Sequence, residues 1–163
     1  MMQKLSITEA CQYLKKLLSM NYSLACVGTY LRSDDAVCLE LCDRLQSMGA
    51  HPNIVKCEFG LENCIDVLLL HKFDGVLICD AVISSSLEPG SIVKLGLEDI
   101  DENILILSSH SIPLTHAVNI LSEVAGVKNI ELLGIVACDL SIGMQLSEAT
   151  RNTIDKLCEC LKG

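Results

Sequence analysis

Residues 23–35 read SLACVGTYLRSDD, and this stretch decides how the rest of the chain is organised. Ser23–Gly28 is a short apolar run closed by glycine, the pattern of a buried strand. Residues 29–34, TYLRSD, form a polar turn, and a helix runs from Asp35 to about Met48. Val37, Leu41, Leu45 and Met48 fall on one stripe at helical spacing. Gly49 stops the helix, as a glycine just past a helix end does. A strand that is apolar throughout must be covered on both faces, and that is the habit of parallel sheets in α/β proteins.

The flanking segments follow the same alternation. Ser6-Ile7-Thr8-Glu9 has the form of a capping box and opens a helix to about Met20. Beyond Gly49, strands are expected at Asn53–Glu58, Gly75–Asp80, Ser91–Leu95, Asn103–Leu107 and Asn129–Ala137. Helices are expected at Leu61–Lys72, Pro113–Ala125 and from Ser147 onward. Ser84-Ser85-Ser86 through Pro89-Gly90 has turn chemistry. No repeat, low-complexity tract or linker interrupts the pattern. One α/β domain over 1–163 is expected: three layers, a mostly parallel sheet with helices on both faces.

Composition narrows the function classes. The formal net charge is −9, so phosphate backbones are repelled and nucleic-acid partners are not expected. There is no Trp, and only two Phe and three Tyr, too few for stacking platforms on single strands. No run approaches the ~18 apolar residues that span a membrane, and the polar N-terminal segment lacks a signal-peptide core. A cytoplasmic location, with no membrane contact, is the expectation. The ten cysteines lie at 11, 26, 38, 42, 57, 64, 79, 138, 158 and 160, with no C-x-x-C. In a cytosolic chain disulfides are rare, so these thiols read as small buried hydrophobes. Cys38 and Cys42 sit one helical turn apart, but two thiolates alone seldom hold a metal.

Ligands of open α/β sheets bind outside the carboxyl ends of the strands. Strand 23–28 leads to Asp34-Asp35, strand 75–80 ends on Asp80, and strand 103–107 leads to Ser108-Ser109-His110-Ser111. Taken singly, Asp34 or Asp35 serves as a helix cap and His110 as a surface residue. Together, two carboxylates and an imidazole at one sheet edge suit a borderline divalent cation with open coordination positions. There is no G-x-S-x-G elbow for a serine hydrolase and no G-x-G-x-x-G turn for a dinucleotide. His51, His71 and His116 rank below His110. Glu62 begins a helix, where its charge suits the N-terminus, and it could also line the cleft.

These residues resemble the [NiFe]-hydrogenase maturation endopeptidases. That family is similar in having strand, G-N-x-L-x-x-D-D-G, helix, matched here by Gly28-Thr29-Tyr30-Leu31-Arg32-Ser33-Asp34-Asp35-Ala36. Its later segments resemble Leu61-Glu62-Asn63, Asp80-Ala81-Val82, Glu88-Pro89-Gly90, Ser109-His110-Ser111-Ile112-Pro113-Leu114 and Leu133-Gly134-Ile135, in that order. Thr29 stands where the family has Asn, and Ala36 and Cys38 where it often has Gly. The resemblance implies an aspartic-type peptidase that removes a C-terminal extension from the nickel-loaded large-subunit precursor. It implies Asp35, Asp80 and His110 as catalytic and metal-contacting residues. The metal would be nickel supplied by the substrate, although other divalent metals may occupy the site. A monomer is expected. Two rival readings remain: a non-catalytic nickel-binding assembly chaperone, and a receiver-like signalling domain. The second lacks a matching Lys after a late strand.

Overall fold

The computed structural model describes residues 2–49, 53–70, 72–99, 104–106 and 114–163. Among the described residues seven strands form one sheet: β1 Gln3–Leu5, β2 Tyr22–Gly28, β3 Ile54–Glu58, β4 Gly75–Ser84, β5 Ile92–Leu95, β6 Ile104–Ile106 and β7 Ile130–Val136. Five α-helices accompany them: α1 Ile7–Ser19, α2 Val37–Ser47, α3 Ile65–Leu70, α4 Leu114–Asn119 and α5 Glu148–Lys162. The sheet order is β1-β5-β7-β4-β2-β3, with β6 paired to β4. The central strands β7, β4, β2 and β3 are parallel, β5 and β6 run against them, and β1 pairs antiparallel with β5. Helices cover both faces, as expected.

Each face has its own aliphatic cluster. Leu14 and Leu17 of α1, Leu41 and Leu45 of α2, and Ile154, Leu157 and Leu161 of α5 pack with Leu24 and Leu77 on one face. Leu68 of α3, with Ala117, Val118 and Leu121 in and after α4, packs with Val27, Val76 and Ile78 on the other. The residues of β2 are buried without exception, which is why that strand lacks polar alternation. The capping box at Ser6 forms as read: Ser6 Oγ accepts from Glu9 N at 3.1 Å and Glu9 Oε1 accepts from Ser6 N at 3.0 Å.

Several elements differ from the sequence expectation, among them the helix expected over Leu61–Lys72, which is a 3-10 turn Leu61–Asn63 followed by α3, and the start of the second helix, which is a 3-10 turn Ser33–Ala36. Gln3–Leu5 is a strand on the sheet edge, because β5 offers it an antiparallel partner. β4 runs four residues past Asp80, since β7 and β6 continue to pair with it after β2 has ended. The helix expected over 113–125 ends in a π-helical turn, Ile120–Val124.

The cysteines also depart from expectation. Cys11, Cys26, Cys38, Cys42, Cys57, Cys64, Cys79 and Cys158 are buried, as core-filling thiols should be. Yet eight of the ten pair as disulfides: Cys11–Cys160, Cys26–Cys42, Cys38–Cys79 and Cys57–Cys64, leaving Cys138 and Cys158 free. Their Cα atoms are 6.2, 6.3, 5.9 and 5.3 Å apart, inside the span a disulfide requires. The partners are up to 149 residues apart in sequence, so only the tertiary fold could match them.

Candidate active site

The chain leaves β2 toward the β3 edge through α2, then returns over α3 to β4 on the other side of β2. The crevice between the carboxyl ends of β2 and β4 is therefore the topological switch point, where such sheets bind ligands. Asp35 and Asp80 flank it. Asp80 follows Cys79, the last residue of β4 paired to β2. Asp35 lies in the 3-10 turn Ser33–Ala36, which packs on β4 and leads directly into α2. Both carboxylates are deeply buried, at 1% and 2% exposure.

The two side chains approach from different directions. Cys79 and Ala81 face the α1/α2/α5 cluster and Ile78 and Val82 the opposite one, so alternation turns Asp80 toward the α3/α4 face. Asp35 sits at the α2 side. Asp80 Oδ1 also accepts from Ala81 N at 2.8 Å, which fixes its rotamer.

Gly28 is what lets the Asp35 turn lie so close. Its φ is +154°, and a Cβ there would stand 1.9 Å from the Asp35 carbonyl oxygen and 3.6 Å from Asp35 Oδ1. Only a residue without a side chain allows that approach. Tyr30, in the same turn, is held away from the crevice. Its hydroxyl donates to Asp43 Oδ2 at 2.7 Å, and Lys56 Nζ bonds Asp43 Oδ1 at 2.8 Å. Burial, then the Asp43 bond, pushes the Tyr30 phenol up to about 12, so it stays protonated at neutral pH.

The neighbour Asp34 has a different task, which the sequence did not separate from that of Asp35. Its carboxylate, fully buried, accepts from Cys138 N at 2.8 Å, Asp139 N at 2.9 Å, Ser147 N at 2.8 Å, Ser147 Oγ at 2.7 Å and Thr150 Oγ1 at 2.6 Å. It fastens the long loop after β7, and the start of α5, to the site turn. Burial disfavours its charge, but the bonds from Thr150, Asp139, Ser147 and Cys138 outweigh that and hold its carboxyl below the ordinary range. The two segments also pair through backbone: Ser33 N donates to Gly143 O at 2.9 Å and Gly143 N to Leu31 O at 3.0 Å. This rigid junction presents Ile142 and Met144 to solvent at 92% and 80% exposure, with Leu31 beside them.

His110 lies outside the described residues, as do His51 and His71. β6 runs antiparallel to β4 with Ile106 opposite Val82, two residues from Asp80, so it heads toward the crevice. His116 is on the exposed face of α4. Glu62 lies in the 3-10 turn Leu61–Asn63, which packs against α4. Among the described residues, no three His, Cys, Asp or Glu side chains gather as a metal site, and Asp35 and Asp80 are two of the three expected.

A sequence profile described as HycI, hydrogenase maturation protease, matches residues 39–162, about three quarters of the chain. The chain belongs to the hydrogenase maturation protease family. The profile match includes Asp80 and His110 and begins just after Asp35. Solved structures agree in fold. A [NiFe] hydrogenase maturation protease, HycI, from Thermococcus kodakarensis KOD1 superposes with TM-score 0.71 at 22% identity, covering 93% of this chain and 99% of that one. The endopeptidase HycI from Escherichia coli gives 0.70 at 23%, covering 88% and 90%. HybD from Thermococcus kodakarensis gives 0.68 at 23%, covering 85% and 95%. No curated protein sequence matches the chain. This maturation protease thus has an endopeptidase fold over nearly its whole length. Among the described residues, no helix is long and apolar enough to cross a membrane.

Proposed function

We propose that this protease removes a C-terminal extension from the large-subunit precursor of a [NiFe]-hydrogenase once nickel has been inserted, acting in the cytoplasm as a monomer. Asp35, Asp80 and His110 contact the nickel that the substrate carries. The observation supporting this most directly is the pair of carboxylates at the switch-point crevice, each at most 2% exposed. Buried carboxylates favour a neighbouring positive charge, and a cation carried by a docked, metal-loaded substrate would supply one at this crevice.

Carboxylate oxygen and imidazole nitrogen fit the open positions of a borderline ion such as nickel, and other divalent metals can take the same place. A metal held there polarises a neighbouring carbonyl. In an aspartic-type mechanism, one of Asp35 and Asp80 takes the proton of the attacking water as general base.

The experiment is to mix the purified protein with nickel-loaded and nickel-free precursor and follow the precursor's intact mass. Loss of the extension from the loaded form alone is expected. Asp35→Asn, Asp80→Asn and His110→Ala should keep the wild-type circular dichroism and lose at least about a hundredfold in rate, as removal of a group acting in the transition state does. A variant that processes at the wild-type rate removes that residue from the site. Binding without cleavage of any loaded precursor would favour an assembly chaperone instead.

A further inference from the structure

The loop between β7 and α5 carries apolar residues of two kinds. Leu140 and Leu146 are partly buried and pack against the α1/α2/α5 cluster. Ile142 and Met144, between them, stay in solvent and fill no part of the core. The loop is nevertheless held along its length. Asp34 N donates to Asp139 O at 2.9 Å, and Ser33 Oγ to Ser141 O at 2.9 Å. Arg32 Nε donates to Leu140 O at 3.3 Å, and Arg151 Nη2 to Leu146 O at 3.1 Å. The bond from Gly143 N to Leu31 O sets Leu31, itself more than half exposed, against the residue between Ile142 and Met144. Exposed apolar residues scattered singly are ordinary on any surface. These three meet at one hydrogen-bonded junction, and Leu31 lies on the segment that leads into the Asp35 turn.

We propose that Leu31, Ile142 and Met144 form the docking surface for the large-subunit precursor, taking an aliphatic patch of that protein beside the segment to be cut. This rests on the reading of the chain as the protease that processes that precursor. Three observations select this occupant. The surface is continuous with the Asp35 turn, so a protein seated on it has its chain next to the crevice. A second copy of this chain seated there would cover the crevice that a protein substrate has to enter. The exposed charges of the two segments balance, Arg32 and Arg151 against Asp139 and Glu148. The surface therefore selects for apolar contact rather than for an acidic or a basic peptide.

The fixed loop suits this task. Ordering a mobile loop on binding weakens affinity, whereas the backbone bearing these side chains is already held by hydrogen bonds. Met144 adds an unbranched, adaptable side chain that fits irregular apolar shapes. A contact remote from the reacting atoms is as strong in the ground state as in the transition state, so it sets KM and leaves kcat alone. Docking on this surface also separates recognition of the protein from recognition of its metal. The nickel-free precursor uses the same three residues.

The test uses the full-length protein with purified large-subunit precursor, nickel-loaded and nickel-free. Leu31→Gln/Ile142→Gln/Met144→Gln is compared with Leu69→Gln/Leu70→Gln, which alters exposed apolar residues of α3 instead. The triple variant should keep the wild-type circular dichroism, raise KM for loaded precursor at least about tenfold and leave kcat within about twofold. Its affinity for nickel-free precursor in titration calorimetry should fall by a similar factor. The α3 variant should match the wild type in both measurements. Wild-type affinity should change by no more than about threefold between about 0.15 and 0.5 M salt. Ile142→Gln alone, at the most exposed of the three positions, should raise KM at least about threefold and guards against a folding defect in the triple variant. An unchanged KM, a loss confined to kcat, an equal loss in the α3 variant or a stronger salt dependence would each overturn the proposal. So would a wild-type dimer in light scattering that the triple variant separates. If no precursor is cleaved, the proposed function fails, while the calorimetric comparison still decides the docking surface.

Discussion

Replacing Asp34 tests how the site turn is held. Its carboxylate accepts five hydrogen bonds of 2.6–2.9 Å from the loop after β7 and the start of α5. In Asp34→Ala all five donors lose their acceptor. The hydroxyls of Ser147 and Thr150 retain each other at 3.2 Å, and Thr150 Oγ1 can use Ser147 O at 3.3 Å. The backbone N–H groups of Cys138, Asp139 and Ser147 are only part-buried, so water can reach them in part. Each charge-assisted bond contributes about 1.5–3 kcal/mol when removed singly, but with this compensation the whole set is expected to cost about 3–5 kcal/mol. For a domain of this size that lowers Tm by roughly 6–20 °C. Urea and thermal unfolding followed by circular dichroism at pH 7 measure it. The pH dependence has a definite sign. The folded carboxyl lies below its unfolded value, so its stabilisation is present above about pH 3.9 and is lost as pH falls toward the lower folded value. Asp34→Asn should therefore be less stable at pH 7 and lose less on acidification than the wild type. A loss under 1 kcal/mol in both variants, or an unchanged acid limb in Asp34→Asn, would refute the account of Asp34 as the fastening of this loop.

Gly28→Ala places a methyl group against the Asp35 carbonyl and a side chain at φ +154°. It should destabilise the fold by about 2 kcal/mol or more and abolish processing, whereas Gly49→Ala, strained by its φ of +68° but with open space around it, should cost about 1 kcal/mol and leave processing intact. Ile142→Ser/Met144→Ser, at the exposed rim beside the site turn, should change Tm by no more than a few degrees, since surface substitutions stay within about 0.5 kcal/mol. The same pair should weaken precursor binding in a pull-down or calorimetric titration if the substrate enters over this rim. Unchanged affinity would direct the substrate to another side of the crevice.

Much of this molecule was legible from local pattern. Ser6 and Glu9 announce the start of α1 because a capping box needs only neighbouring residues. The unbroken apolar runs of β2 and of β4 up to Cys79 announce a sheet covered on both faces, since both faces of those stretches are buried. Asp80 stands out because a carboxylate closing such a run has little local structural use, whereas Asp35 is named only through the resemblance of Gly28–Ala36 to a family motif. Other features depend on segments far apart in the chain. Nothing near Gln3–Leu5 shows that β5 waits to pair with it, and nothing near Asp80 shows that β4 continues to Ser84. Adjacent in sequence, Asp34 and Asp35 are indistinguishable there. Only the arrival of Cys138–Thr150 occupies one of them and leaves the other at the crevice. The partners of Cys26 and Cys79 likewise emerge only when α2 settles on β2 and β4, and that of Cys11 only when α5 reaches α1. Local sequence encodes what neighbouring residues do for one another, but strand pairing and the fastening of the Asp34 turn depend on contacts across the whole chain.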